Sequence, residues 1–442
     1  MSTEASEARD VRVRDLPSHA GRRVRLRGWV YNLREKGKLQ FLLLRDGSGI
    51  AQCVLLKKEV GEELFEEARA LTQESSIELT GEARLDERAP GGAEVRVDGL
   101  RTVHRAGPYP IGKKEHGPGF LMDHRHLWLR SKRQAALMRL RHELIQGWRE
   151  FLDREGFFCV DSPIFTPNAC EGTSTLFEVD YFGEPAYLTQ SGQLYAEAAA
   201  MALGRVYCFG PVFRAEKSKT RRHLTEFWML EPEIAFAGLE EVCDLAEGLL
   251  RATLRRVLER RRPELEDLGR DPAVLEAWDR PWPRMRYSEV AELLGAWKEE
   301  GRLDSQFQPG DDLGAPDETA LGEHFGLPVH ITHWPAEVKA FYMKREDGED
   351  SPVLGVDIIA PGAGEIVGGS VREDDLATLE RRIREHGLPE EAFSWYLDLR
   401  RYGSVPHAGF GVGLERTLAW IAGVEHLREC IPFPRTLQRL RP

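Results

Sequence analysis

At 442 residues the chain exceeds what one hydrophobic core of ordinary size serves, so two or more domains are expected. With 41% hydrophobic and 30% charged residues it has a globular composition. No apolar run approaches the ~20 residues that cross a bilayer, and the acidic opening MSTEASEARD is unlike a targeting peptide, so a cytoplasmic protein without membrane contact is expected. A formal net charge of −12 excludes a protein that coats nucleic acid indiscriminately, but leaves room for local basic patches that guide a polyanion. The six cysteines (Cys53, Cys159, Cys170, Cys208, Cys243, Cys430) form no C-x-x-C pair, which fits a reducing compartment without structural zinc.

In chain order, residues 10–105 read as five short strands: VRLRGWVYNL, KLQFLLLRD, IAQCVLL, SSIELTGEARL and AEVRVDGLRTV. Five strands in this length predict a small barrel, and the OB-fold is the five-stranded barrel most associated with oligonucleotides. Arg22, Arg23, Arg25, Arg27, Arg34, Lys36 and Lys38 crowd this segment, although a charge run is by default a solvated face. The Gly- and Pro-rich AGPYPIGKKEHGPG predicts a linker over 106–130. Beyond it, helical patterns (RQAALMRLRHELIQGWREFLDREG and LEEVCDLAEGLLRATLRRVLERR) interleave with strands, as in a larger α+β domain over 131–442.

Three segments carry the chemistry. In FRAEKSKTRRHLTEFWMLEPEIAF, Arg214 and Glu216 lie two apart on a strand and share a face; a basic loop then turns into a second strand carrying Phe227. A strand-borne arginine can neutralise a phosphate and an aromatic ring can stack a purine. In HAGFGVGLERTLAWIAG, Gly409, Gly411 and Gly413 alternate to leave a bare strand face before a helix with Glu415 and Arg416. The GxGxG spacing is not the Rossmann GxGxxG. GFFCVDSPIF is an apolar strand after a helix that ends near Gly156.

Together and in this order, these segments resemble motifs 1, 2 and 3 of class II aminoacyl-tRNA synthetases. With an N-terminal domain carrying GWV, GKLQFLLLRD and Gln52, the chain resembles subclass IIb, the aspartyl, asparaginyl and lysyl enzymes. The resemblance implies an OB-fold anticodon-binding domain over 1–105 and a catalytic domain over 131–442 built on an antiparallel sheet flanked by helices. It also implies a homodimer joined through motif 1.

For individual residues it implies that Arg214 holds the α-phosphate and the α-carboxylate, that Phe227 and Arg416 sandwich adenine, and that Glu216, His223, Leu224 and Gly413 complete the ATP site. Asp357 and Glu365 resemble Mg²⁺ ligands, hard oxygens suited to that ion beside phosphates. Glu171 and Gln193 resemble receivers of the substrate α-amino group, and Arg372 the arginine that contacts its side chain. Strict alternation places Glu365 and Arg372 on opposite faces, unless Gly368 and Gly369 form a bulge. Phe41 and Gln52 resemble the residues that stack on and bond to the middle anticodon base. Lys217, Lys219, Arg221 and Arg222 are the expected cations for the tRNA acceptor end.

Asparagine is distinguished from aspartate by QSGQLYAE, where aspartyl enzymes usually carry a Lys-Gln pair in place of Ala196 and Glu197. Gln193 and Glu197, at i and i+4, share a helix face that Ser191 can cap. Glu197 is therefore expected to accept from the substrate amide and to repel aspartate by roughly 4 kcal/mol at ~4 Å and an effective dielectric of about 20. The implied activity is ATP- and Mg²⁺-dependent activation of asparagine and its transfer to tRNA(Asn). The alternatives are an archaeal-type aspartyl enzyme, an inert RNA-binding paralogue, and a synthetase-like asparagine synthetase, which lacks an anticodon domain.

Overall fold

The computed structural model describes residues 7–441 apart from 113, 168–169, 171–175, 219 and 349–350. It divides into two units, 1–117 and 118–442.

In the first unit, a short edge strand β1 (Arg9–Asp10) precedes strands in which apolar residues recur with a period near two: β2 (Arg23–Lys36), β3 (Leu39–Arg45), β4 (Ile50–Leu56), β5 (Ser76–Leu85) and β6 (Ala93–His104). The order β1-β2-β3-β4-β6-β5, with β5 pairing back onto β2, closes a five-stranded barrel to which β1 adds a short edge. Val24, Leu26, Leu42, Leu44, Cys53 and Val95 fill it. A helix over Lys57–Arg69, unanticipated in the charged KKEVGEELFEEAR, joins β4 to β5; it buries Phe65 and Ala68 and is interrupted at Gly61, whose φ is 83°.

The second unit starts inside the expected 106–130 linker, since Pro118–Asp123 and Arg125–Trp128 are already helical. Arg125 is fully buried and donates to the carbonyls of Glu429, Ile431 and Pro432, which ties this start to the end of the chain. The strands are β7 (Phe158–Cys159), β8 (Phe165–Thr166), β9 (Glu178–Tyr181), β10 (Glu184–Leu188), β11 (Arg205–Phe213), β12 (Glu226–Ala235), β13 (Arg284–Arg286), β14 (Val329–Trp334), β15 (Val353–Ala360), β16 (Gly364–Val371) and β17 (His407–Gly413). Eight form one sheet, ordered β13-β14-β15-β16-β17-β12-β11-β7, antiparallel except at its two outer pairings.

Alternation decides which face of this sheet is packed. On β17, Ala408, Phe410 and Val412 enter the main core with Ile358 of β15, Val367 of β16 and Leu230 of β12. The helices Lys132–Arg154 and Leu239–Arg260 cover that core through Leu144, Trp148, Leu250 and Leu254. The glycines of β17 fall on the opposite face. A Cβ on Gly409 would lie 2.3 Å from the Glu233 carboxyl, and one on Gly411 2.4 Å from the Met229 side chain, so the bare face is required by what crosses it. No helix among the described residues is long and apolar enough to cross a membrane.

Candidate active site

The uncovered face of the large sheet floors a cavity of ≈750 Å³. Of the residues singled out in the sequence, Gln193, Arg214, Glu216, Arg222, His223, Leu224, Phe227, Asp357, Glu365, Arg372, Gly413 and Arg416 line it. Glu171 and Lys219 lie outside the described residues.

At one end, β11 and β12 form the hairpin that carries Arg214 and Phe227, in register from Arg205↔Ile234 to Phe213↔Glu226. The guanidinium of Arg214 sits 5.4 Å from the centroid of the Phe227 ring, and its backbone N–H donates to Thr225 across the hairpin mouth at 3.0 Å. In the intervening loop, His223 Nε2 faces Glu216 at 3.4 Å, and burial holds the imidazole pKa below its ordinary value. The three described acceptor-end cations do not act alike: Lys217 is exposed, Arg221 pairs with Glu425 at 2.7 Å, and Arg222 turns into the cavity to pair with Glu318 at 3.0 Å.

The helix Leu414–Ala422 presents Arg416, whose Nη1 donates to the Glu365 carbonyl at 2.5 Å. Its neighbour Glu415 borders the same cavity and is fully buried. It accepts from Arg141 at 2.6 Å and from the backbone of Trp228 at 3.0 Å, so a single carboxylate clamps this helix to β12 beside Phe227.

Asp357 and Glu365 meet across β15 and β16. A Cβ on Gly368 would lie 2.8 Å from Glu365 Oε1 and 3.6 Å from Asp357 Oδ1, so both carboxylates border the space this glycine leaves open. Burial and the nearby Glu365 push the Asp357 carboxyl up to about 7, against the pull of Lys339, which donates to Asp357 Oδ2 at 2.6 Å. Burial and Glu365 likewise raise Glu318 to about 7. Hard oxygens around an open space suit Mg²⁺, which takes few protein ligands and completes its shell from phosphates and water. Among the described residues no three metal-ligating side chains gather.

The bulge that reconciles Glu365 with Arg372 lies at Ile366, two residues before the expected glycine pair. Ile358 pairs with Val367 and Ile359 with Glu365, which leaves Ile366 without a partner. The chain accordingly buries Ile366 and Val367 in succession and returns Glu365 and Arg372 to the cavity side.

At the far end, Arg372 is almost fully buried. It donates Nε to Glu233 at 3.2 Å and Nη1 to Ser370 at 2.7 Å, while Nη2 completes a bidentate ion pair with Glu233. Burial pushes Glu233 up to about 7, with Glu197 adding to the rise and Arg372 opposing it. Beside it Glu231 lines the cavity and accepts from Ser191 Oγ and from the Gly192 N–H, the latter at 2.9 Å. Ser191 Oγ in turn accepts from the N–H of Gln193 at 3.0 Å.

The expected direct contact of Glu197 with a substrate amide requires correction. Glu197 has no exposed surface and does not line the cavity. Its oxygens are taken by Tyr396 (2.8 and 3.0 Å), Arg400 (2.9 Å), His407 (2.9 Å) and Gln193 (3.0 Å). A carboxylate offers about four acceptor sites, and these donors use them. Sequence reasoning missed Glu231 and Glu233, although counting by twos along β12 from Phe227 reaches both; Tyr396, Arg400 and His407 carry no such signal.

In the first unit, β3 pairs with β4 through Leu43↔Gln52 and Phe41↔Val54, so Phe41 and Gln52 are diagonal neighbours on the outer face of the barrel. Gln52 donates to Glu94 at 2.9 Å.

A family model described as tRNA synthetases class II (D, K and N) matches residues 118–437, and one described as an OB-fold nucleic acid binding domain matches residues 24–103. The chain belongs to the class II tRNA synthetases of the D, K and N group. Among its relatives within that group are asparagine–tRNA ligases. An asparagine–tRNA ligase of Sorangium cellulosum (strain So ce56) is 58% identical over 436 residues, which cover 97% of this chain and 98% of the relative. That of Koribacter versatilis (strain Ellin345) is 55% identical over 434 residues, covering 97% and 98%. The crystal structure of asparaginyl-tRNA synthetase from Pyrococcus horikoshii complexed with asparaginyl-adenylate matches with a TM-score of 0.92 at 44% identity, covering 99% of this chain and all of that one.

Proposed function

We propose that the chain activates asparagine with ATP and transfers it to tRNA(Asn). The observation that carries this reading is one cavity with two unlike ends, a nucleotide end with Arg214, Phe227 and Arg416 and an amide end with Arg372 and Glu231. An asparagine side chain offers an oxygen and an N–H₂, and needs one donor and one acceptor. Arg372 supplies the donor. Glu231, rather than Glu197, supplies the acceptor, because it is the carboxylate that reaches the cavity. Gln193 takes the α-ammonium group.

Phe227 and Arg416 hold adenine between them, and Arg214 neutralises the α-phosphate while orienting the asparagine carboxylate in line with it. Carboxylate oxygen attacks phosphorus, the bond to the bridging oxygen breaks, and pyrophosphate leaves; the 3′-hydroxyl of tRNA then attacks the acyl carbon and AMP departs. The chain supplies position and preorganised charge and forms no covalent bond to the substrate. Mg²⁺, held by Asp357 and Glu365 around the Gly368 space, would supply charge compensation on the ATP phosphates.

The barrel face with Phe41 and Gln52 reads the anticodon, and Lys217 with Arg221 faces the acceptor end. Phe158, Ile164, Phe165, Tyr181 and Phe182 are exposed around motif 1, with Phe182 94% accessible, which supports burial in a homodimer. The setting is cytoplasmic translation. Asparagine-dependent pyrophosphate exchange that requires Mg²⁺ but not tRNA, with little exchange on aspartate, is the expected result; exchange with aspartate alone would overturn the reading.

A further inference from the structure

The saturated Glu197 carboxylate lies behind the cavity wall, yet one of its donors, Gln193, lines the cavity. An amide has two unlike ends, and which end faces a ligand is fixed by whatever holds the other. Glu197 can only accept here: Arg400 and Tyr396 donate to it, and although burial alone would raise its pKa, Arg400 and His407 outweigh that and hold the carboxyl below its ordinary range. Gln193 must therefore turn its Nε2 inward, at 3.0 Å from Glu197 Oε1. Its Oε1, which carries no hydrogen bond among the described residues, is the end left for the cavity.

We propose that Glu197 is a positioning residue that locks the Gln193 amide with its oxygen toward the substrate, so that Gln193 presents an acceptor to the α-ammonium group and not a donor. The inference rests on the functional reading above and extends it: selection for an α-amino acid is set one shell behind the cavity wall. In Glu197→Gln, Arg400 and Tyr396 claim the new amide oxygen, its nitrogen faces Gln193, and Gln193 turns over to accept from it. An N–H₂ group then opposes the substrate ammonium.

The test uses the full-length protein in pyrophosphate exchange with L-asparagine as substrate and 3-carbamoylpropanoate, which is asparagine without its amino group, as competitive inhibitor. Glu197→Gln should raise the KM for asparagine about tenfold or more, with a smaller change in kcat, and leave the inhibition constant of the des-amino compound within about twofold. Glu197→Asp keeps the charge opposite Arg400 but falls short of Gln193 by about one carbon–carbon bond, ~1.5 Å. It should give the same pattern more weakly and covers the case in which Glu197→Gln does not fold. Equal weakening of both compounds, or an unchanged KM, overturns the proposal. Absence of asparagine-dependent exchange in the unsubstituted protein would instead overturn the functional reading on which it rests.

Discussion

Discrimination against aspartate should reside in Glu231, and Glu231→Gln is the perturbation that isolates it. The residue is 4% exposed and lines the amide end of the cavity, where its carboxylate accepts from Ser191 and Gly192. Aspartate bound like asparagine would bring a second carboxylate to within about 4 Å, a repulsion of roughly 4 kcal/mol at an effective dielectric of about 20, or on the order of a thousandfold in affinity. Arg372 offsets little of this, because Glu233 already pairs with it in two places. Glutamine keeps the shape and one acceptor but removes the charge, so asparagine activation should fall by about tenfold while the ratio of asparagine to aspartate kcat/KM falls by up to about a thousandfold. Pyrophosphate exchange with each amino acid, measured on the same preparation, gives the ratio. If it stays unchanged, charge at Glu231 does not exclude aspartate and the assignment of the amide end is refuted.

Glu233 gives a pH dependence with a definite sign. Its pKa of about 7 leaves it protonated and Arg372 uncompensated at pH 6, and ionised at pH 8, so the asparagine-to-aspartate ratio should rise by up to about tenfold per unit across that window; Glu233→Gln should hold it at the low, flat value, and titration of ATP cancels in the ratio. Gly368→Ala places a methyl group 2.8 Å from Glu365 Oε1 and should raise the Mg²⁺ concentration for half-maximal exchange by about tenfold or more, read by Mg²⁺ titration at saturating ATP. Phe41→Ala should weaken aminoacylation by about tenfold, the order of a lost base stack, and spare pyrophosphate exchange; equal loss of both would contradict a role in the anticodon face. Phe165→Glu with Phe182→Glu should shift sedimentation from dimer to monomer, and a wild-type protein that sediments as an active monomer would refute the interface.

The barrel was legible because strands such as LQFLLLR, which buries Gln40, Leu42 and Leu44, alternate along their length, and IAQCVLL is β4 to the residue. The Lys57–Arg69 helix was not, because its charged face and internal Gly61 give a weak apolar period. At the site, residues whose chemistry follows from position on one strand or one turn (Arg214, Phe227, Arg416, Gly413) line the cavity as expected. Where the reading failed, the cause was long-range pairing. Nothing local in QSGQLYAE indicates that Tyr396, Arg400 and His407, some two hundred residues on, will claim Glu197. The bulge at Ile366 was similarly hidden, because register against β15 is a property of two strands and not of one.

The unpaired Ile366 has a mechanical consequence. With it, one continuous strand carries the group that faces the phosphates, Glu365, and the group that faces the amino-acid side chain, Arg372, at a spacing of roughly 20 Å set by the pleat. No hinge or loop intervenes, and β15 and β17 brace the strand on both sides. The site therefore works as a fixed gauge: thermal loosening of the loop between β11 and β12 should slow turnover without altering which side chain is accepted. Deleting Ile366 would restore regular pleating with Glu365 still opposite Ile359 and Val367 still opposite Ile358, so Glu365 and Arg372 would both stay on the cavity side. The extra residue thus absorbs the odd count between Glu365 and Arg372 that strict alternation would turn to opposite faces.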